Sequence, residues 1–195
     1  MPFITPVTLS GQHASLEPLL QDHLEGIKAA AADGQLWNLF YTSVPSADMT
    51  QAWLDTAHRM RDEQGALVFA VRDQRTNNIV GSTRFWNVDP VNRRLEIGYT
   101  WYAESAHRTG INTECKLMLL THAFEVLNCI AVELCTDWFN HRSQAAIERL
   151  GAKRDGVRRN HTILKGRIRD TVVYSILQSE WHGVKMNLQA KLQRR

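Results

Sequence analysis

His107-Arg-Thr-Gly-Ile-Asn-Thr-Glu114 is the stretch on which the reading of this chain turns. Before it, Leu95 to Tyr102 alternates as a strand does; after it, Thr113 to Leu127 places apolar residues at helical spacing. The octapeptide therefore joins the end of a strand to the start of a helix. The first N–H groups of a helix lack internal partners and the helix dipole is positive there, so a glycine-containing turn at that place can receive a phosphate. Taken alone, the octapeptide reads first as an ordinary strand-to-helix connection, and the rest of the chain shifts the balance.

Upstream, Val7 to Leu9 and His13 to Glu17 read as a short initial strand or hairpin, with Pro18 marking the start of a helix that Asp33-Gly34 stops. Ser46 is the expected N-cap of a second helix, with Met49, Trp53, Ala57 and Met60 on one face and Gly65 at its end. Ala66 to Arg72, Ile79 to Val88 and Arg94 to Tyr102 are β-rich runs separated by turn residues, so antiparallel neighbours are expected. Downstream of the motif helix come a strand over Ile130 to Thr136, a helix begun by Asn140 and closed by Gly151, and strands over Lys153 to Leu164 and Ile168 to Leu177. Trp181 to Arg195 reads as a basic C-terminal helix. The strand, helix and strand around the motif form a βαβ crossover inside an otherwise antiparallel sheet, which makes the fold α+β, or mixed α/β. A ligand crevice is expected outside the carboxyl end of the 94–102 strand.

The 195 residues, 44% hydrophobic and 22% charged, suit a single domain over the whole chain, 1–195. A net charge of +3 is too weak to argue for DNA but suits an anionic ligand. Cys115, Cys129 and Cys135 are odd in number and lack metal-ligand spacing, so neither a disulfide framework nor a zinc site is indicated, and a reducing cytosol fits best. The eight histidines show no metal-ligand spacing either. No apolar run approaches the ~20 residues of a spanning helix.

The order of elements, with the motif, resembles the GCN5-related N-acetyltransferase (GNAT) superfamily, and more narrowly its branch that acetylates ribosomal protein N-termini. In that superfamily the acyl-CoA pyrophosphate loop reads Gln or Arg, two residues, Gly, one residue, then Gly or Ala. Here the register is His107, Arg108, Thr109, Gly110, Ile111, Asn112, leading into Thr113. Gly110 matches strictly, His107 keeps a donor, and Asn112 stands where a smaller residue is usual. Asn140-His-Arg-Ser143 followed by Leu150-Gly151-Ala152 resembles a second family segment. Each half alone reads as a plain helix cap. The resemblance implies one domain with a mostly antiparallel seven-stranded sheet, about four flanking helices and a C-terminal helix.

The resemblance also implies acetyl-CoA as co-substrate, no metal, and direct transfer of the acetyl group to a primary amine through a tetrahedral intermediate. Glu96 is then the candidate general base, since the attacking amine must be unprotonated; a free α-amine has pKa ~8 against ~10.4 for lysine. On alternation alone, Glu96 shares a strand face with Gly98 and Thr100, opposite Leu95, Ile97, Tyr99 and Trp101. Asn140 would contact the pantetheine arm or order the helix that does, and Ser143 would protonate the departing thiolate. Main-chain groups around Trp101 and Tyr102 would hold the pantetheine like an added strand, with a backbone N–H near Tyr99 to Trp101 as oxyanion donor. Trp37, Trp86 and Trp138 fall in segments expected to edge the acceptor crevice. Arg158-Arg-Asn-His161 and Arg167-Ile-Arg-Asp170 read as cross-strand charge pairing before substrate binding.

The acceptor implied is a protein N-terminus or a small amine, the compartment cytoplasmic, with a homodimer admitted and no membrane among the partners. A rival class is a non-catalytic acyl-CoA-binding regulatory module, for which the departures at His107 and Asn112 speak. Nucleic-acid binding through Lys185 to Arg195 ranks last and predicts a steep salt dependence.

Overall fold

The structure is a computed structural model and describes residues 3–193, so Arg194 and Arg195 of the basic tail lie outside the described residues. A hairpin of β1 (Leu9–Ser10) and β2 (Ala14–Pro18) leads to α1 (Leu24–Ala32) and α2 (Thr50–Gln64). An antiparallel meander follows: β3 (Leu67–Asp73), β4 (Ile79–Asp89) and β5 (Arg94–Tyr102). Then come α3 (Ile111–Thr121), β6 (Ala131–Asp137), α4 (His141–Leu150), β7 (Lys153–Leu164), β8 (Arg167–Leu177) and α5 (Trp181–Gln193). One sheet takes all eight strands in the order β1-β2-β3-β4-β5-β6-β8-β7. The pairing of β5 with β6 is parallel and every other pairing is antiparallel, so the expected crossover through α3 is present.

Eight strands replace the seven expected because the initial strand folds on itself. Gly11 N–H bonds the Ala14 carbonyl at 2.9 Å and closes a tight turn between β1 and β2. Pro18 ends β2 rather than opening a helix; α1 begins six residues later, after a single 3-10 turn at Gln21–His23. Ser46 likewise precedes a 3-10 turn, Ala47–Met49, and its carbonyl, not its side chain, receives the Thr50 hydroxyl at 3.1 Å. Gly65 ends α2 as expected, at φ 64.

The helices cover both faces of the sheet. Arg84 of β4 and Trp101 of β5 meet Met60 and Trp53 of α2, which marks the α2 face; Phe85 and Thr100 meet His122 and Lys116, which marks the α3 face. The core between them is apolar, with Leu16, Ile27, Leu54, Phe69, Phe85, Leu119, Leu134 and Tyr174 fully buried. Burial of this kind is the main driving force for the fold. The C-terminal helix belongs to the body: Trp181 stacks on Phe124 at 5.3 Å, its indole N–H donates to Glu125 at 2.7 Å, and Val184 and Leu188 are buried. No described helix is long and apolar enough to cross a membrane.

Candidate active site

The site begins where two parallel strands part. β5 and β6 are paired only at Arg94–Ala131, Leu95–Val132 and Glu96–Glu133, although β5 continues to Tyr102 and β6 to Asp137. The reason lies in β5 itself. Between the pairs Ser82–Trp101 and Arg84–Gly98, β5 has two residues, Tyr99 and Thr100, while β4 has one, Thr83, and Tyr99 sits at φ 51. That is a β-bulge, which bends the strand and increases its twist. Meanwhile β6 is held by β8 along its whole length, Ala131–Leu177 to Asp137–Thr171. β5 therefore turns away while β6 stays, and beyond Glu96 one edge of β5 has no strand beside it.

The bulge corrects the expected face pattern. Strict alternation separates Tyr99 and Trp101 from Glu96; an extra residue shifts every later side chain to the opposite face. In the structure Tyr99 packs edge-on against Trp86 with ring centroids 5.1 Å apart, and Trp101 does the same with Trp53 at 5.9 Å. Trp86 is also the cross-strand partner of Glu96. Glu96, Gly98, Tyr99, Trp101, Trp86 and Arg84 thus share the α2 face. Thr100 goes to the other face, where it accepts from Lys116 Nζ at 2.7 Å.

Glu96 is 3% exposed, and burial raises its pKa above the ordinary carboxylate value. The Cys135 thiol, the Trp86 indole and the Asn87 amide, which donates at 3.2 Å, act against that rise by supporting the charged form. The Trp86 N–H lies beside the carboxylate without completing a hydrogen bond. Gly98 makes room for it: a Cβ there would stand 2.4 Å from Trp86 Nε1 and 3.3 Å from Glu96 Oε1. Residue spacing along the chain indicates no metal site, yet Glu96, Glu133 and Cys135 bring potential ligand atoms within 4.8 Å of one another. Glu133 already faces two cations, Arg94 and Arg158, the latter at 3.2 Å.

At the carboxyl end of β5, a 3-10 turn at Glu104–Ala106 leads to the loop and the N-terminus of α3. Arg108 is exposed with φ 61, and Thr109 Oγ1 donates to the Ala106 carbonyl at 2.7 Å while accepting from Ile111 N–H at 3.3 Å. The N–H groups of Asn112 and Thr113 fall in the first helical turn and have no acceptor within the helix. Basic side chains surround this end: Arg149 donates to Thr113 Oγ1 at 3.1 Å, and Arg142, after burial, helps to lower the pKa of His107. Gly110 also has a packing role. Its missing side chain points at His13, whose ring would lie 2.8 Å from a Cβ, so its smallness serves the contact of α3 with the β1–β2 hairpin. Tyr102 has a buried phenol against Cys115 and offers only its main chain to the gap.

Of the remaining predicted residues, Trp138, Asn140 and Ser143 follow β6, whereas Trp37 lies between α1 and α2. Asn140 caps α4, its Oδ1 accepting from Ser143 N–H at 3.0 Å; Ser143 is partly buried in the first turn. Trp138 is exposed in the β6–α4 loop under the Arg154 guanidinium, 5.2 Å away, and Trp37 is half-buried with its carbonyl accepting from Lys165 at 2.7 Å. Asp137, buried at the end of β6, holds Arg167 and, at 3.7 Å, Arg169; Arg167 also lies 5.2 Å from the Phe40 ring and 5.5 Å from Phe139. The expected cross-strand pairing holds for Arg159 with Asp170, at 2.8 Å, but not for Arg167 and Arg169, which reach β6 instead. Sequence reasoning missed Arg84, Lys116 and the Tyr99 ring because their roles depend on the bulge, for which Tyr99 carries no sequence mark, and missed Asn87 because it reaches Glu96 from a second irregularity, in β4 between Trp86 and Asp89, where it sits at φ 46.

An open β5 edge, a buried carboxylate at its fork and a basic helix N-terminus at its end form one continuous feature. The family profile described as "Acetyltransferase (GNAT) domain" matches residues 14–153, which contain all three. The chain belongs to the GNAT acetyltransferase family. A protein of Bacillus subtilis (strain 168) named "Putative ribosomal N-acetyltransferase YdaF" is 33% identical over 151 residues, 76% of this chain and 80% of that protein. Among solved structures, a GCN5-related N-acetyltransferase from Brucella melitensis matches with TM-score 0.87 and 32% identity, covering 98% of this chain and 87% of that one. A structure from T. thermophilus described as a "putative acetyltransferase" matches with TM-score 0.85 and 34% identity, over 97% of this chain and 98% of that one. This GNAT protein is accordingly an N-acetyltransferase with the mixed α/β fold of its family.

Proposed function

We propose that this GNAT enzyme passes the acetyl group of acetyl-CoA directly to a primary amine, with the α-amine of a ribosomal protein N-terminus as the acceptor class. The observation that carries the reading is the position of Glu96, the last residue of β5 paired with β6 and thus the carboxylate at the mouth of the fork. The name borne by the Bacillus subtilis relative supports the acceptor class.

The residues present fit the donor. An extended chain of amide groups can lie along the unpaired edge of β5 as an added strand does, exchanging hydrogen bonds with main-chain groups near Trp101 and Tyr102. The N–H groups of Asn112 and Thr113, with His107, Arg108, Arg142 and Arg149 around them, suit a pyrophosphate. Glu96, made more basic by burial, takes a proton from the acceptor ammonium directly or through one water. A main-chain N–H around Tyr99 to Trp101 faces the oxygen on which negative charge gathers, and Ser143 supplies the proton for the departing thiolate. Trp86 and Tyr99 wall the acceptor beside Glu96, with Trp37 and Trp138 farther out. The three cysteines are free thiols, as a reducing cytoplasm keeps them.

Thiol release from acetyl-CoA over a panel of amines tests the reading. Peptides with a free N-terminal α-amine should release thiol faster than the same peptides blocked at the N-terminus but carrying lysine. CoA binding without release for any acceptor would return the chain to the acyl-CoA-binding alternative.

A further inference from the structure

The bulge that opens the fork is gripped from both faces of the sheet by a buried cation without an anionic partner. On the α2 face, Arg84 is 1% exposed; its guanidinium lies 4.1 Å from the Tyr99 ring centroid and 5.7 Å from that of Trp53. One terminal nitrogen donates to Met60 Sδ at 3.0 Å, and Nε has no hydrogen-bond partner. On the α3 face, Lys116 is 5% exposed and donates from Nζ to Thr100 Oγ1 at 2.7 Å. The Thr100 hydroxyl in turn meets Thr83 Oγ1 at 2.7 Å. Tyr99 and Thr100 are the two consecutive residues of the bulge.

Among the described residues neither cation forms an ion pair, whereas Arg72, Arg94, Arg158, Arg159, Arg167 and Arg169 each face a carboxylate. Glu114, close to Lys116 in sequence, is occupied by three main-chain N–H groups, those of Gln12, His13 and Ala14. Burying a charge without a counter-ion carries a large desolvation cost, and apolar residues of similar volume generally suit such positions better for stability. Two such costs at adjacent residues of one bulge, on opposite faces, call for a function. A preorganised positive potential in a low-dielectric environment is strong, and it needs no reorganisation when charge develops nearby.

We propose that Arg84 and Lys116 are positioning residues for acetyl transfer: they pin Tyr99 and Thr100 from opposite faces and keep positive potential at the β5 edge where the thioester oxygen gathers negative charge. Neither touches the substrate. Arg84 acts through the Tyr99 ring, which it underlies, and Lys116 through the Thr100 hydroxyl. This rests on the proposed function, because it assigns the fork to the thioester.

The test is steady-state transfer from acetyl-CoA to an N-terminal peptide by wild type, Lys116→Met, Arg84→Lys, Arg84→Met and Thr100→Val, with acetyl-CoA affinity by calorimetry and melting temperature beside it. Lys116→Met should lower kcat about ten-fold or more, leave acetyl-CoA affinity within about two-fold, and leave the melting temperature unchanged or higher. Arg84→Lys, which keeps the charge, should retain more turnover than Arg84→Met. If Lys116→Met does not fold, Thr100→Val breaks the same link and should also lower kcat. Unchanged kcat in the folded variants of an active enzyme overturns this inference alone, and so does a fall in kcat that tracks a fall in melting temperature. A wild type that transfers to no amine overturns the proposed function and this inference with it.

Discussion

At the scale of single residues, Glu96 carries the sharpest consequence. Burial raises its pKa, so its basic form is lost as pH falls through a value above the usual 4.5. The acid limb of kcat/KM should therefore contain the ionisation of Glu96 below that of the amine, at ~8 for an α-amine. Glu96→Gln should remove the lower ionisation and reduce turnover about 100-fold, with acetyl-CoA affinity kept; an unaltered profile would assign the base elsewhere. Gly110 makes the opposite point. Its motif position predicts a role at the phosphate, whereas its missing side chain faces His13 at 2.8 Å. Gly110→Val should accordingly cost about 1–3 kcal/mol of stability by forcing α3 from the β1–β2 hairpin. Urea unfolding would show it, and a variant with wild-type stability but no CoA affinity would assign the need for glycine to the phosphate instead. Glu96, Gly110 and Asn140 were all legible as positions, because strand alternation and cap chemistry are local. Arg84 and Lys116 were not, since nothing in their own segments says that a cation there will be buried without a partner.

At the scale of elements, period and turn residues located nearly every strand and helix, while strand faces beyond Gly98 could not be read. Alternation carries across a strand only until a residue is inserted, and the bulge at Tyr99 needs a positive φ that tyrosine gives no sign of adopting. The N-terminal hairpin was legible for its turn but not for its anchor. Glu114 of α3 accepts from the N–H groups of Gln12, His13 and Ala14 at 2.8, 2.7 and 2.8 Å. Gly11 must be glycine beside it, because a Cβ there would lie 2.3 Å from the carboxyl carbon. Glu114→Ala should leave these donors without their acceptor and cost about 3 kcal/mol, measured by urea unfolding. A loss under about 0.5 kcal/mol would show that water replaces the carboxylate without penalty.

For the whole molecule, the two faces of one sheet divide the work proposed for them: the α2 face carries Glu96, Trp86 and Tyr99, and the α3 face carries the helix N-terminus proposed for the pyrophosphate and the buried Lys116. That burial ties stability to pH. Burial lowers the Lys116 pKa from 10.5 to about 8, so the full desolvation cost stands below about 8 and is relieved as pH rises from there to 10.5. Lys116→Met should therefore be more stable than wild type at pH 7, with the difference shrinking by about pH 10; an equal difference at both would mean that Lys116 is not desolvated. Tyr102, whose pKa is raised, pushes stability the other way at high pH but is common to both proteins; Cys115, whose raised pKa Lys116 partly holds down, is raised further in Lys116→Met and so narrows the difference at high pH in the same sense. The fold was readable at this scale because the strand-helix-strand crossover makes β5 and β6 parallel neighbours, whereas the point at which they part depends on the bulge and the proposed acceptor wall on distant segments meeting. A crystal structure with acetyl-CoA is the most direct measurement of the central claim. It should place the thioester between β5 and β6 beside Glu96 and Tyr99, with the pyrophosphate on the N–H groups of Asn112 and Thr113. Electron density for the thioester anywhere outside that fork would contradict it.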